Sequence, residues 1–185
     1  MCDAGRDVIY LQPILCEVAG QQASPVDMAL FEGLRAYCAA FFSGIRVELR
    51  PALTVSVTET VSPFFGTRHS GTLLGSRVNW RNRCPANGEA LEHGQLNAGH
   101  LLQALKPRFL RSGMVDAVGA LPHDGMCVLG VTMTDLFCGD DDVFTGGLAS
   151  LSYFAGVFSF YRCVLALYPP PAWLPHLPVR ATILA

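Results

Sequence analysis

Histidine, acidic and cysteine side chains are the residues of this sequence that could bind a metal or catalyse hydrolysis, and their spacing decides between these uses. The histidines are His69, His93, His100, His123 and His176. No two of them are four residues apart, and none is followed by the glutamate that a helical His-Glu-x-x-His zinc site uses as its base. The sequence therefore predicts no zinc ligand and no general base, and scattered surface histidines are the favoured interpretation.

Two looser polar groups offer alternatives. The first consists of His93, His100 and His123 with Glu92 and Asp124. These residues could bind zinc only if folding assembled ligands that lack short spacing. The second, Asp140, Asp141 and Asp142, has the carboxylates that Ca²⁺ or Mg²⁺ prefers, but the glycine and glutamate spacing of an EF-hand is absent. A hydrated acidic turn is the favoured interpretation of this run.

The seven cysteines form an odd set without Cys-x-x-Cys spacing. This usage favours free thiols in a reducing compartment over a disulfide framework or a zinc knuckle. Residues 1–5 lack the pattern of a secretory signal. The expected location is therefore cytoplasmic or nuclear. No Gly-x-Ser-x-Gly motif occurs, and the proximity of Cys138 to His123 in sequence does not indicate a nucleophile.

Overall charge argues against a nucleic-acid partner. The 185 residues carry a net charge of -2, and only 15% of them are charged. A basic cluster of Arg77, Arg81 and Arg83 surrounds Trp80, but no nucleic-acid-binding motif accompanies it. We interpret the cluster as part of a solvated loop.

The apolar segment from Leu148 to Tyr168 is long enough to span a membrane, which makes membrane association an alternative. Arg162 lies well inside it, and strongly β-forming residues surround the serines and glycine of the segment. The expectation is therefore that the chain has no membrane partner.

The elements that must position these side chains follow from hydrophobic periodicity. Cys127–Thr132 is apolar without alternation, as in a strand buried on both faces. Asp135 follows this strand directly, where it could fix the turn. A second β-prone region, residues 143–161, is broken by Gly146, Gly147 and Gly156.

The upstream sequence predicts strands alternating with helices. Strands are expected at residues 8–14, 45–49 and 53–57. One helix begins with Ser24 and Pro25 and ends near Gly44, and its apolar residues are Val26, Leu30, Leu34, Tyr37, Cys38 and Phe41. A second helix covers Asn97–Phe109, with His100 toward solvent. These elements predict an α/β fold with a mixed, mostly parallel twisted sheet and two helices, while residues 63–93 are expected to be a loop or insertion.

Several of these stretches together resemble the archaemetzincins, a branch of the metzincin zinc peptidases. The resemblance rests on Asp7–Pro13, Tyr37–Leu49, Leu96–Leu105, Leu129–Phe137, Val143–Leu151 and Gly156–Arg162. Their order and spacing are similar to those of the family's amino-terminal half. The resemblance implies a zincin-like amino-terminal subdomain over residues 1–162, followed by a divergent Pro-rich tail over residues 163–185.

The resemblance also implies how such a protein would act. Zinc-dependent peptide hydrolysis is the activity of the family, with the substrate extended along an edge strand. The corresponding residues here are Val143, Phe144, Thr145, Gly146, Gly147, Leu148, Ala149 and Ser150. The family's HExxHxxGxxHC motif does not occur, so we expect an incomplete, truncated chain without a bound cofactor and without hydrolytic activity. An extended peptide is the candidate partner, and a non-enzymatic partner-binding protein is the alternative function.

Overall fold

One sheet dominates the protein, which is represented by a computed structural model describing residues 6–18, 21–22, 28–62, 66–83, 88, 90–105, 121–122 and 124–163. The strands are β1 (Val8–Val18), β2 (Gln21–Gln22), β3 (Arg46–Leu49), β4 (Leu53–Ser62), β5 (Gly66–Leu73), β6 (Ser76–Arg83), β7 (Ala90–Asn97), β8 (Gly125–Thr132), β9 (Asp135–Phe137), β10 (Gly147–Ser150) and β11 (Ala155–Ser159). The helices are α1 (Met28–Phe41) and α2 (Ala98–Leu105), and a 3₁₀ turn covers Leu151–Tyr153. The fold is therefore mixed α/β.

The centre of the sheet is parallel. β1 pairs in parallel with β8 on one side and with β3 and then β4 on the other, and β8 also pairs in parallel with β11. Val8 and Leu11 of β1 have no exposed surface, as expected for a strand covered on both faces. The prediction of a buried strand at Cys127–Thr132 is confirmed by β8.

The sheet as a whole is mixed to a greater degree than the sequence predicts. The order of strands across the sheet is β10-β11-β8-β1-β4-β5-β6-β7-β9. Among the described strands five pairings are parallel and five are antiparallel. The antiparallel share comes largely from β4 to β7, where consecutive strands are joined by short connections. The expected predominance of parallel pairing is thus not found.

The segment 63–93 contains strands, and its prediction as a loop is wrong for the described part. β5 and β6 form a hairpin in which Leu73 pairs with Ser76. The two intervening residues, Leu74 and Gly75, have φ of 50° and 73°. Positive φ at both central positions is typical of the tight turns whose twist matches antiparallel strands. Gly66 and Gly71 thus belong to β5, and Gly75 belongs to the turn of the hairpin.

The main core forms around α2. Leu101 and Leu105 of α2 are fully buried and pack with Val55, Leu96, Leu136 and Val157, which come from strands distributed along the whole sheet. Gly130 in β8 lies under this helix. A Cβ there would be 2.6 Å from Leu105 Cδ1 and 2.8 Å from Ile14 Cδ1. Glycine at this position thus allows the helix to approach the sheet closely. Lys106–Phe109, the predicted end of this helix, lie outside the described residues.

α1 covers another part of the sheet, and its buried side agrees only in part with the predicted one. Its buried residue is Phe31, and Leu34 and Cys38 pack toward Ile9, Leu11 and Val47. Tyr37 and Phe41, which were predicted on the apolar face, are exposed. The predicted helix start at Ser24 and Pro25 and the predicted tail at 164–185 lie outside the described residues.

In the part of the chain that the structure describes, no helix is long and apolar enough to cross a membrane. Of the segment predicted as an alternative span, residues 148–163 include β10, the 3₁₀ turn and β11. Residues 164–168 lie outside the described ranges. The described part of the segment thus does not form the spanning helix that this alternative requires.

A sheet edge beside a buried ion pair

The predicted substrate strand, residues 143–150, divides into a loop and a strand. Residues 143–146 form the loop, in which the Thr145 N–H donates to the carbonyl oxygen of Leu136 at 2.8 Å. β10 follows and pairs antiparallel with β11. The Ser159 N–H donates to the Gly146 carbonyl oxygen at 2.9 Å, which continues the ladder by one residue. The edge strand is thus shorter than predicted and lies at residues 147–150.

One side of β10 is not paired with any described strand. Hydrogen bonding in an antiparallel pair alternates along the strand. Because Gly146 bonds to Ser159, the backbone groups of Leu148 and Ser150 also face β11, while those of Gly147 and Ala149 point outward. The Gly147 carbonyl oxygen accepts a hydrogen bond from Thr145 Oγ1 at 3.1 Å. Ala149, whose side chain is exposed, therefore presents an outward N–H and C=O.

Large apolar side chains extend this edge beyond the strand. Leu151 is 91% exposed, and Tyr153 and Phe154 are also exposed. Phe154 has φ of 50° and ends the 3₁₀ turn in a left-handed conformation, which is uncommon for a bulky residue. The Arg6 guanidinium lies 5.8 Å from the centre of the Phe154 ring. The edge therefore combines outward backbone groups with accessible apolar surface.

A buried carboxylate supports the loop next to this edge. Asp135 is 4% exposed. Its Oδ1 accepts from Arg162 Nε at 3.0 Å and from the Leu136 N–H at 3.1 Å. Its Oδ2 accepts from the second guanidinium nitrogen of Arg162 and from Gln95 Nε2, both at 2.7 Å. The bidentate pair connects the end of β11 to β9 and fits the role in fixing the turn that the sequence suggested for Asp135.

A second arginine, Arg81, holds the other side of the loop. Its Nε donates to Gln95 Oε1 at 2.8 Å, and its terminal nitrogens donate to the carbonyl oxygens of Asp140, Asp142 and Val143. The guanidinium lies 4.0 Å from the centre of the Phe137 ring, as in a cation–π contact. Arg162 makes a similar contact with Phe144 at 3.8 Å. The two arginines thus fix residues 140–144 from both sides.

The acidic run is a turn held by its own residues. Asp142 Oδ2 accepts from the Gly139 N–H at 2.7 Å, and the Asp142 N–H donates to the Gly139 carbonyl oxygen at 3.2 Å. The three aspartates are exposed. Their position agrees with the hydrated acidic turn predicted from the sequence.

Zinc does not fit the residues that the structure describes. His100, which was predicted to face solvent, is half-buried, and its Nδ1 accepts the Asn79 N–H at 3.1 Å. No three His, Cys, Asp or Glu side chains come together within the described ranges in a way that could hold a metal ion. The side chains of His69, His93 and Glu92, and residues His123 and His176, lie outside the described part. No hydrolytic step is therefore assigned to the described residues.

The fully buried thiol of Cys16 does not provide a nucleophile. Burial raises the pKa of Cys16 to about 11. The thiolate is the reactive form of cysteine, so Cys16 is protonated and unreactive at neutral pH. It contributes to the main core instead.

Sequence reasoning missed Gln95 and Asn97 on β7. Both side chains point to one side of the strand and bind the loop, Gln95 through Asp135 and Val143 and Asn97 through the Cys138 carbonyl oxygen at 3.0 Å. Their alternation with the fully buried Leu96 was the available signal. It was hidden because residues 63–93 were interpreted as a loop and Asn97 as the start of a helix.

Comparisons with known proteins give relatives of one kind. The chain is 30% identical to Archaemetzincin-2 of Rattus norvegicus over 157 residues, which are 85% of this chain and 33% of that protein. It is 34% identical to Archaemetzincin-2 of Mus musculus over 160 residues, which are again 85% of this chain and 33% of that protein. For Archaemetzincin-2 of Homo sapiens the identity is 33% over 129 residues, 70% of this chain and 26% of that protein.

No protein-family model matches the chain. A crystal structure of archaemetzincin (AmzA) from Archaeoglobus fulgidus, complexed with malonate, is 19% identical, has a TM-score of 0.43, and covers 84% of this chain and 61% of that chain. The chain spans about a third of the length of the rat and mouse proteins. Because identities of 30% and 34% extend over 85% of its residues, the chain belongs to the archaemetzincin family.

Proposed function

We propose that this chain forms the sheet-building and peptide-binding part of an archaemetzincin-type zinc metallopeptidase. The observation that carries the proposal is the outer edge of β10, where Ala149 presents its backbone N–H and C=O away from β11. An extended peptide can add to such an edge through main-chain hydrogen bonds. Exposed Leu151 and Phe154 provide apolar contacts for its side chains.

The position of the edge depends on the polar network behind it. Asp135 and Arg162 connect β9 to the end of β11, and Arg81 fixes the carbonyl groups of the preceding loop. A peptide could add to β10 without breaking any of these contacts. In the proposed function they are positioning residues, because none of them contacts the peptide backbone.

Hydrolysis by the family requires zinc, which would supply a metal-activated water. No described group of His, Cys, Asp or Glu side chains fits a metal ion. We therefore propose that cleavage depends on residues other than those described, and that the peptide-binding role of β10 is separable from it.

The first experiment measures binding of labelled, unstructured peptides to the 185-residue chain by fluorescence anisotropy. Ala149→Pro removes the outward N–H, and an edge strand tolerates proline at such a position. Ala149→Val keeps the N–H and suits a strand, so it is the matched control. We expect Ala149→Pro to weaken binding at least tenfold, while Ala149→Val stays within about twofold, since 1.4 kcal/mol corresponds to a factor of ten.

Two outcomes would count against the proposal. Equal binding by both Ala149 variants, each shown to be folded by circular dichroism, would mean that the peptide does not add to β10. Cleavage that is abolished by a chelator and accompanied by one bound zinc in native mass spectrometry would contradict the separation of binding from catalysis. In that case His93, His100 and His123 would be the first residues to replace.

We also propose a cytoplasmic or nuclear location. Its support is that Cys16, Cys38, Cys127, Cys138 and Cys163 are free thiols in the described structure, which is typical of reducing compartments. Alkylation of freshly lysed cells followed by mass spectrometry tests it. Disulfide-linked forms of these cysteines would contradict it.

A further inference from the structure

The hydroxyl of Thr145 lies at the outer side of the β10 edge. Its Oγ1 donates to the Gly147 carbonyl oxygen at 3.1 Å. That carbonyl points away from β11, because the preceding Gly146 carbonyl accepts the Ser159 N–H and backbone groups alternate along an antiparallel strand. One outward acceptor of the edge is therefore already engaged by a side chain of the same chain.

The backbone of Thr145 is fixed by β9. Its N–H donates to the Leu136 carbonyl oxygen at 2.8 Å, and the two residues form an isolated antiparallel bridge. β9 is in turn connected to the end of β11 by the ion pair of Asp135 and Arg162. Threonine is branched at Cβ, which restricts the rotation of its side chain. The hydroxyl is thus held at the edge before any peptide binds.

The backbone that follows Thr145 runs very close to β11. A Cβ at Gly147 would be 2.6 Å from the Val157 carbonyl oxygen and 3.1 Å from Phe158 Cδ2, so this position requires glycine. Gly146 precedes it, and neither residue has a side chain. A peptide that reached this end of the edge would therefore meet the backbone and the Thr145 hydroxyl.

Ala149, two residues further along, is different. Within the described ranges no side chain donates to its outward carbonyl oxygen. When an extended peptide adds to a strand in either direction, the peptide N–H groups that meet two successive outward carbonyls are two residues apart. Such a peptide pairs fully at Ala149 and finds the next acceptor, at Gly147, occupied.

We propose that Thr145 limits the peptide to donating one N–H to β10, at Ala149, and so sets the position of the peptide along the edge. This inference rests on the peptide-binding function proposed above. The peptide then makes its remaining contacts past the carboxyl-terminal end of β10, where Leu151 and Phe154 are exposed. Thr145 is a positioning residue, because its hydroxyl acts through the Gly147 carbonyl.

The test measures binding of a fluorescein-labelled peptide of about ten residues, rich in Val and Thr, to the 185-residue chain by fluorescence anisotropy. Thr145→Val removes the hydroxyl but keeps the branched shape and the N–H that donates to Leu136. It should bind the peptide about threefold to tenfold more tightly, the effect of one net hydrogen bond. Thr145→Ser keeps a hydroxyl and should stay within about twofold of the wild-type chain.

A series of peptides in which one backbone N–H at a time is replaced by an ester oxygen locates the pairing. For the wild-type chain we expect the largest loss of affinity at a single position. For Thr145→Val, a second position two residues away should also become sensitive, by at least about threefold. A purely structural role of Thr145 would change the affinity for all these peptides alike and would create no second sensitive position.

Thr72→Val is the matched control, because it makes the same change at an exposed residue of β5. It should alter neither the affinity nor the ester pattern, and circular dichroism confirms that each variant is folded. The same affinity and the same single sensitive position in Thr145→Val and the wild-type chain would overturn the inference, as would Thr145→Ser behaving like Thr145→Val. Absence of binding by every form at up to about 1 mM peptide would instead overturn the peptide-binding function on which it rests.

Discussion

Asp135 is at the centre of the polar network behind the loop of the candidate site. It is almost fully buried and accepts four hydrogen bonds, from Arg162, Gln95 and the Leu136 N–H. A charge in this position is stable because its partners replace water. Removing one partner leaves the others without a counterpart, so substitutions here should have larger effects than at exposed ion pairs.

The first prediction concerns this pair. Asp135→Ala and Arg162→Met should each lower the free energy of unfolding by about 2–3 kcal/mol, less than for a fully buried pair because the Arg162 side chain is 43% exposed. The double variant should lose about 1–2 kcal/mol less free energy of unfolding than the sum of the losses in the two single variants. Urea denaturation of the four proteins measures this coupling.

Arg46 provides the control for that prediction. It pairs with Asp7, Glu48 and Asp124, and all these side chains are more than a third exposed. Arg46→Met should therefore lower the free energy of unfolding much less than Asp135→Ala or Arg162→Met. Strict additivity of the Asp135 and Arg162 substitutions would show that the two side chains do not stabilise each other.

The second prediction concerns Tyr10. Burial, and next the hydrogen bond from its hydroxyl to Asp124 at 2.9 Å, raise the pKa of Tyr10 to about 12 from 10.0. The unfolded chain thus loses this proton at lower pH than the folded chain, so the stability contribution is complete below pH 10 and is lost as pH rises toward 12. The urea midpoint should fall across this range and fall less in Tyr10→Phe.

The same contact acts on the acid side with the opposite sign. The hydrogen bond from Tyr10 lowers the pKa of Asp124 from 3.8. Ionised Asp124 therefore contributes to the stability of the folded chain above its ordinary pKa. This contribution is lost as pH falls through the lower pKa that Asp124 has in the folded chain. Tyr10→Phe should therefore also reduce the loss of stability in acid. An unchanged slope in both limbs would contradict a role for this hydrogen bond.

Periodicity predicted many of the individual elements. The spacing of apolar residues predicted the strands β1, β3, β4 and β8 and the helix α2. Apolar residues are consecutive in β8, alternate in β3 and recur every three to four residues in α2. β5 and β6 were missed because their glycines and arginines resemble a loop. The buried face of α1 was predicted only in part because the helix has apolar residues on both sides. Leu34 and Cys38 pack toward Ile9 and Leu11 as predicted, whereas Tyr37 and Phe41 are exposed.

The third prediction concerns strand β7, where Gly94 meets Trp80. Gly94 has φ of +65°, and a Cβ there would be 2.4 Å from a Trp80 ring carbon. Gly44 has φ of +86°, and a Cβ there would have no atom within 4 Å. Gly44→Ala should thus cost about 1 kcal/mol through backbone strain alone, and Gly94→Ala about 1–3 kcal/mol more through overpacking. Thermal denaturation of both variants compares them.

Equal losses in the two glycine variants would contradict the proposed contact between β7 and Trp80. The comparison is informative because both positions share the left-handed backbone. A Cβ at Gly94 would meet the Trp80 ring, whereas a Cβ at Gly44 would meet no atom within 4 Å.

For the molecule as a whole, the arrangement of the sheet was harder to predict than its strands. Asp135 and the acidic turn were identified from their place after β8, since local order is visible in sequence. Gln95, Asn97 and Arg81 were not, because they reach the loop only after β7 has crossed to β9. Contacts between residues 14 to 62 positions apart depend on strand order, which one sequence does not specify.

The fourth prediction concerns protection across the sheet. β1, β5 and β6 all pair on both sides, but β1 is buried on both faces, whereas β5 and β6 have exposed polar residues such as Thr72, Arg77 and Asn79 on one face. Amide hydrogens of β1 and β8 should therefore exchange with solvent most slowly, because they exchange only when the whole chain unfolds. Those of β5 and β6 should exchange at least tenfold faster. Hydrogen exchange measured by mass spectrometry tests this order. Faster exchange in β8 than in β6 would contradict it.

The central place of β1 has a consequence for synthesis on the ribosome. β1 is the first described strand to leave the ribosome, while β8, which pairs with it from Val8 to Ile14, is made more than a hundred residues later. At about 5–20 residues per second, the edge of β1 stays open for about 6–25 s. During that time it is a template for wrong strand pairing. A nascent chain of this protein should therefore depend on chaperones until residue 132 has emerged.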